Sequence, residues 1–286
     1  MRKQINLRAL LVVAVMICSA IVATAKVRQG TTIKILAIGN SFSQDAVEQY
    51  LWNLADADNS NVIIGNLYYG GCSLEQHWDF LVNNKSSYSY RKIVDGAKVD
   101  TPQFSLPEAL ADEDWDYVSF QQASHFSGMP LTYAPYLDNL IAYVRQHVKK
   151  SAKFIFHSTW AYAGNSKHKG FANYSGSQEV MFDEIIATTQ LVMDAYNFAI
   201  LIPSGTAIQN ARTSTLGDTM NRDGFHLNLT YGRYTAACTW YEAIFKKSVV
   251  GNKYAPEGMT ALQKDIAQKS AHEAVMHPYE ITRISE

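Results

Sequence analysis

Three cysteines in 286 residues are too few for a disulfide framework or a four-thiolate zinc site. Sixteen glycines and seven prolines exclude a collagen-like fibre or a low-complexity chain. Charge of neither sign dominates. The net charge is −1, only 18% of residues are charged, and no long Lys/Arg run occurs, which excludes a nucleic-acid binder held through phosphate contacts. What is present is a 47% hydrophobic fraction, ordinary for a globular protein and sufficient for a sizeable core. With no internal repeat, linker or low-complexity tract, residues 26–286 read as one domain.

The N-terminus departs from this average. Arg2, Lys3 and Arg8 precede an apolar run from Ala9 to Val22 that closes on Ala23-Thr24-Ala25. A basic start, a short apolar stretch and small residues at the −3 and −1 positions make a secretory signal peptide over residues 1–25. The run is shorter than the ~20 residues a spanning helix needs, so stable membrane insertion after cleavage is not expected. Cys18 follows Ile17 rather than a small residue, against a lipidated cysteine. Removing the segment takes away three of the 25 basic residues and none of the 26 acidic ones, so the net charge moves from −1 to −4. The expected location is secreted or periplasmic.

Along the rest of the chain, strand-like and helix-like segments alternate. Ile33 to Ile38 (IKILAI) is a continuous apolar run, the mark of a strand buried on both faces. Asp45 to Ala57 has helical spacing, Val62 to Tyr69 reads as a strand and Leu74 to Val82 as a helix. Residues 84–108 are mixed polar and turn residues, consistent with an inserted hairpin. Strands are expected at Asp116–Gln121, Phe154–His157 and Phe198–Ile202, with helices at Tyr136–Val148, Val180–Tyr196 and Tyr231–Phe245. A further helix, Ala261–Val275, forms a C-terminal extension from about residue 250. This alternation predicts an α/β fold with a mostly parallel sheet covered on both faces, in which chemistry collects beyond the carboxyl ends of the strands.

Three strand ends carry chemistry. Gly39-Asn40-Ser41-Phe42-Ser43 sets a serine in a strand-to-helix turn, where a helix N-terminus favours developing negative charge; capping by Ser41 or Ser43 is the structural alternative. Asp223-Gly224-Phe225-His226 lets one short loop present a base and the carboxylate that fixes its tautomer. Tyr69-Gly70-Gly71-Cys72-Ser73 offers a glycine N–H unobstructed by a side chain, or a plain turn.

In this chain order the residues resemble the SGNH (GDSL-type) hydrolases, three-layer α/β/α esterases named for four sequence blocks. Gly39 to Ser43 is similar to the first block, with Asn40 in place of the more usual Asp. Gly71 matches the oxyanion glycine of the second block. Asp223-Gly224-Phe225-His226-Leu227-Asn228, with Tyr231-Gly232 behind it, resembles the last. The likeness runs from about Ile33 to Phe245 and implies a catalytic triad of Ser41, Asp223 and His226, with no cofactor. The third block departs from the family: Phe120-Gln121-Gln122-Ala123-Ser124-His125 replaces Gly-x-Asn-Asp. Some carbohydrate acetylesterases of the superfamily place a Gln there, so Gln122 is the expected third oxyanion donor and His125 its competitor.

The remaining candidates concern metal, thiol and substrate. His272 and His277 lie five apart, so they do not share a helix face, and Pro278 follows at once; no metal site is expected. His77, His147, His157 and His168 read as surface or strand-end residues. Cys72 and Cys238 read as small buried residues, with pairing between them left open. Trp160, Tyr162 and Arg212 follow strand ends and are expected to bind substrate. No apolar lid helix is evident. The expected function is hydrolysis of O-acetyl esters on carbohydrate, acting on a small-molecule or glycan ester. The alternatives are a lysophospholipase-like lipid esterase or thioesterase on the same fold, and a non-catalytic glycan-binding protein.

Overall fold

The computed structural model describes residues 30–285; the expected signal segment, residues 1–25, lies outside them. Seven strands form one sheet, in chain order β1 (Ile33–Gly39), β2 (Val62–Tyr68), β3 (Tyr88–Val94), β4 (Ala97–Phe104), β5 (Tyr117–Phe120), β6 (Lys153–Ser158) and β7 (Ile200–Pro203). Their spatial order is β4-β3-β2-β1-β5-β6-β7. The five strands β2-β1-β5-β6-β7 are parallel, and β3 pairs antiparallel with β2. The α-helices are α1 (Ser41–Val47), α2 (Leu51–Ala57), α3 (Leu74–Val82), α4 (Leu106–Ala111), α5 (Tyr136–His147), α6 (Gln178–Ala195), α7 (Ser204–Arg212), α8 (Tyr231–Phe245) and α9 (Ala261–Met276).

The continuous apolar run of β1 has a direct cause. Ile35 and Ala37 enter the core on one face of the sheet, and Leu36 and Ile38 enter the core on the other. Alternate side chains of a strand point to opposite faces, so a strand covered on both sides needs apolar residues at every position. The first core also takes Phe42, Leu54, Ile208, Trp240 and Ile266, from α1, α2, α7, α8 and α9. The second takes Leu74, Leu110 and Leu140, from α3, α4 and α5. This is an α/β/α sandwich. α8 is buried on nearly every side because α9 packs over its outer face.

The polar stretch after α3 is indeed a hairpin, and it extends the sheet. β3 and β4 turn at Asp95-Gly96, both with positive φ (50° and 78°), which suits a tight two-residue connection. Any residue larger than glycine at 96 would also strike the Trp52 ring, 2.9 Å from where a Cβ would stand.

Two helices differ from the sequence expectation. The helix predicted over 45–57 begins at Ser41, since the Asn40 side chain caps it, and is broken near Tyr50 into α1 and α2. The stretch after Pro203 is the helix α7, its Ser-Gly-Thr start masking it; tertiary packing overrides weak local propensity there. Among the described residues no helix is long and apolar enough to cross a membrane. Cys72 and Cys238 are both free and buried.

Candidate active site

β1 lies where the strand order reverses, with β2 on one side and β5 on the other, the position in an open α/β sheet beyond whose carboxyl end ligands characteristically bind. Ser41 stands there as the first residue of α1. Its N–H therefore has no partner within the helix and points out of the N-terminal end. Asn40 holds the turn from three directions. Its Oδ1 accepts from Phe42 N and from Gln121 Nε2, each at 2.9 Å. Its Nδ2 donates to Cys72 O at 2.9 Å, which ties the serine turn to the loop bearing Gly71. Gly39 is required by close approach, because a Cβ there would fall 2.4 Å from Ser43 Oγ.

The Asn40 contacts continue inward as a buried chain. Gln121 Oε1 accepts from His157 Nδ1 at 2.8 Å, and His157 Nε2 accepts from Ser204 Oγ at 3.0 Å. This direction requires a neutral imidazole. Burial agrees, pushing His157 down to about 3, and it does the same to His77, which sits 2.8 Å from Tyr88 Oη. His77 is neither a surface nor a strand-end residue, against the sequence expectation; its place on the inner side of α3 buries it.

Both histidines make stability depend on acid. In the unfolded chain they take up protons below about pH 6.5, while in the fold they remain neutral down to about 3. Stability is therefore flat above pH 6.5 on their account and falls as pH drops below it, by about 1.4 kcal/mol per pH unit for each proton. Thermal melts between pH 7.5 and 4.5 should show this slope, reduced by about one proton in His157→Gln. An unchanged slope in that variant counts against the assignment.

The second half of the site is the segment between α7 and α8. Asp223 Oδ1 accepts from Phe225 N (3.2 Å) and His226 N (2.8 Å), and Oδ2 accepts from His226 Nδ1 at 2.7 Å. Burial alone would raise the Asp223 carboxyl, but these hydrogen bonds and the His226 charge outweigh it and hold it below its usual range. With Nδ1 engaged, the His226 proton-accepting nitrogen is Nε2. The His226 ring lies 6.1 Å from that of Phe42, the residue after Ser41.

One carboxylate joins the two halves. Asp45, a helical turn beyond Ser41 and fully buried, meets Arg222 Nη1 at 3.0 Å and Arg233 Nη2 at 2.7 Å. Its Oδ2 also accepts from Leu227 N at 2.8 Å. The flanks of the Asp223–His226 loop are thus bound to the helix that begins at Ser41. Sequence reasoning used Asp45 only as a helix start. The available signal was an acidic residue four positions after the serine and arginines beside the Asp-x-x-His segment.

The structure places the other predicted residues as follows. Gly71 is exposed on the loop after β2, with φ +66° and no atom within 4 Å of where a Cβ would stand. Gln122 does not fit the expected donor role. Its Nε2 donates to Thr132 O and Oγ1, both at 3.0 Å, and its Oε1 accepts from Leu74 N and Ala123 N. The expected substrate contacts of Trp160, Tyr162 and Arg212 also require correction, because all three are buried. Trp160 stacks on Phe42 at 4.2 Å and donates to Phe225 O at 2.8 Å, bracing the serine helix against the histidine loop. Tyr162 Oη pairs with Ser124 Oγ at 2.8 Å. Arg212 donates to Ala161 O and to Asn221 Oδ1, and its Nε lies 3.0 Å from Asp218. His125 is half-buried on the loop after β5, and His168 half-buried on the loop after β6. His272 is paired with Glu242 at 2.6 Å, and His277 lies beyond the end of α9.

Known proteins share this fold. A DUF4886 protein from Bacteroides uniformis is 50% identical, over 89% of this chain and 98% of that one, with a TM-score of 0.87. A candidate SGNH hydrolase from Slackia heliotrinireducens matches 75% of this chain and 100% of its own, at 19% identity and a TM-score of 0.51. That likeness shows the SGNH hydrolase fold which the sequence blocks implied. An acetylxylan esterase from Geobacillus stearothermophilus matches 80% of this chain and 99% of its own, at 13% identity and a TM-score of 0.48. No curated protein matches the sequence. The family model described as "Domain of unknown function (DUF4886)" covers residues 34–274, and the chain belongs to that family.

Proposed function

We propose that this protein is an exported serine esterase that hydrolyses short-chain esters, O-acetyl groups on carbohydrate in particular, with Ser41, His226 and Asp223 as its triad. The observation that carries the reading is the 2.7 Å bond from His226 Nδ1 to Asp223 Oδ2, in a loop anchored through Asp45 to the helix that Ser41 begins. Ser41 Oγ attacks the ester carbonyl carbon while His226 Nε2 takes its proton, and Asp223 stabilises the imidazolium that forms. The oxyanion is met by the N–H groups of Ser41 and Gly71; each such donor is worth about 3 kcal/mol of transition-state stabilisation. The proton passes from His226 to the departing alcohol. Water then cleaves the acyl-enzyme by the same route in reverse. The basic-then-apolar segment over residues 1–25 supports export.

The test is covalent. A fluorophosphonate ester should add one phosphonyl group to the purified protein, located at Ser41 by peptide mass spectrometry, and abolish acetate release from p-nitrophenyl acetate in proportion. Acetate release that survives full labelling, or labelling at another residue, removes Ser41 from the chemistry.

A further inference from the structure

The imidazoles of His168 and His125 have no part in the triad, yet His168 is one aromatic ring away from His226, across Phe225, and His125 lies behind it. His168 precedes the short 3₁₀ turn Lys169–Tyr174, and its Nδ1 accepts from Gly170 N at 3.0 Å. A neutral ring that accepts at Nδ1 carries its hydrogen on Nε2, so His168 presents an N–H donor on the side away from its own loop. The ring packs edge-on to Phe225 at 4.8 Å, and Phe225 packs on His226 at 4.1 Å. His125 lies 5.7 Å from His168 between ring centroids. Its backbone O accepts from Asn173 Nδ2 and Tyr174 Oη, which clamps the loop after β5 to the loop after β6.

The chemistry of ester cleavage gives this corner a role. The proton held by His226 must reach the departing alkoxide, so the alcohol part of the ester sits beside the His226 ring. Groups flanking that ring line the alcohol side rather than the acyl side. Burial and then the His226 charge lower the His168 pKa, against Asp223, which raises it. Burial and then His168 lower that of His125. Uncharged N–H donors suit neutral hydroxyl groups and offer no ion pair to a phosphate.

We propose that His168, with His125 behind it, is a specificity-determining hydrogen-bonding edge that takes hydroxyl groups of the alcohol moiety, so that the ester's leaving group is a neutral polyol such as a sugar. This rests on the esterase reading and assigns its alcohol-side specificity to particular residues. The test compares kcat/KM for a mono-O-acetylated methyl glycoside with that for p-nitrophenyl acetate, whose leaving group has no free hydroxyl besides the one released.

His168→Ala should lower the glycoside-to-aryl ratio about tenfold, the weight of one hydrogen bond lost at a desolvated site. His168→Gln, whose side-chain amide reaches the position of the imidazole Nε2 and can donate there, should restore part of that ratio. A ratio that stays constant in His168→Ala overturns the proposal, whatever the individual rates do. So does a ratio in His168→Gln as low as in His168→Ala. If the wild type cleaves p-nitrophenyl acetate but not the glycoside, this inference falls and the esterase reading stands. If it cleaves neither and takes up no fluorophosphonate, the esterase reading itself falls.

Discussion

Ser41→Ala should lower kcat for p-nitrophenyl acetate by at least about a thousandfold, because removing a triad nucleophile leaves only binding and oxyanion stabilisation. The substitution is clean in this fold. The N-terminal turn of α1 is capped by Asn40 Oδ1, not by Ser41, so the cap survives. Alanine is also the better helix former, and a surface-facing exchange of this size moves stability by no more than about 0.5 kcal/mol. Loss of turnover with an unchanged melting temperature therefore isolates the chemistry. Retention of activity would instead assign Ser41 the plain role of a helix residue.

Asp45→Ala is the second large effect, and it acts on both folding and rate. The carboxylate is buried between Arg222 and Arg233, whose side chains are 30% and 12% exposed. Taking away one member of a buried ionic cluster leaves charges uncompensated, at a cost of about 3–5 kcal/mol. For a chain of this size that corresponds to a fall in Tm on the order of 10 °C. The loss of Leu227 N as a donor to Asp45 Oδ2 also frees the segment just after His226. Misplacement of a catalytic group by about 1 Å can cost a hundredfold in rate, so kcat should drop by that order well below the melting point. Calorimetry and steady-state rates separate the two. A lowered Tm with normal kcat would make Asp45 a stabilising residue only, with no part in positioning His226.

The fold was legible where one segment carried the whole signal. The unbroken apolar run of β1, the amphipathic spacing of α5, and the turn residues of the hairpin each depend on neighbours in sequence. α7 was not legible, because Ser204, Gly205 and Thr206 are poor helix formers held helical by the packing around them. Nor were the supports of the site. Asp45 meets Arg222 and Arg233 across 177 and 188 positions, and no local pattern encodes such a pair. Aromatic residues after a strand read alike whether they wall a cleft or brace one. Trp160 was misread for that reason, since only its stack on Phe42 and its bond to Phe225 O reveal a brace. Gln122 was a related error: its amide suits an oxyanion, but the backbone of Leu74, Ala123 and Thr132 consumes it.

The span between Asp45 and its arginines also bears on how the molecule matures. Contacts between residues so distant in sequence can form only once both ends of the intervening chain exist. A chain released only as far as α7 holds the serine turn without the loop bearing Asp223 and His226. If Ser41, Asp223 and His226 act as proposed, a nascent chain that lacks the segment before α8 has no active site. Enzymatic activity on this scaffold would accordingly count native molecules and ignore partly folded ones, whatever secondary structure those had already acquired.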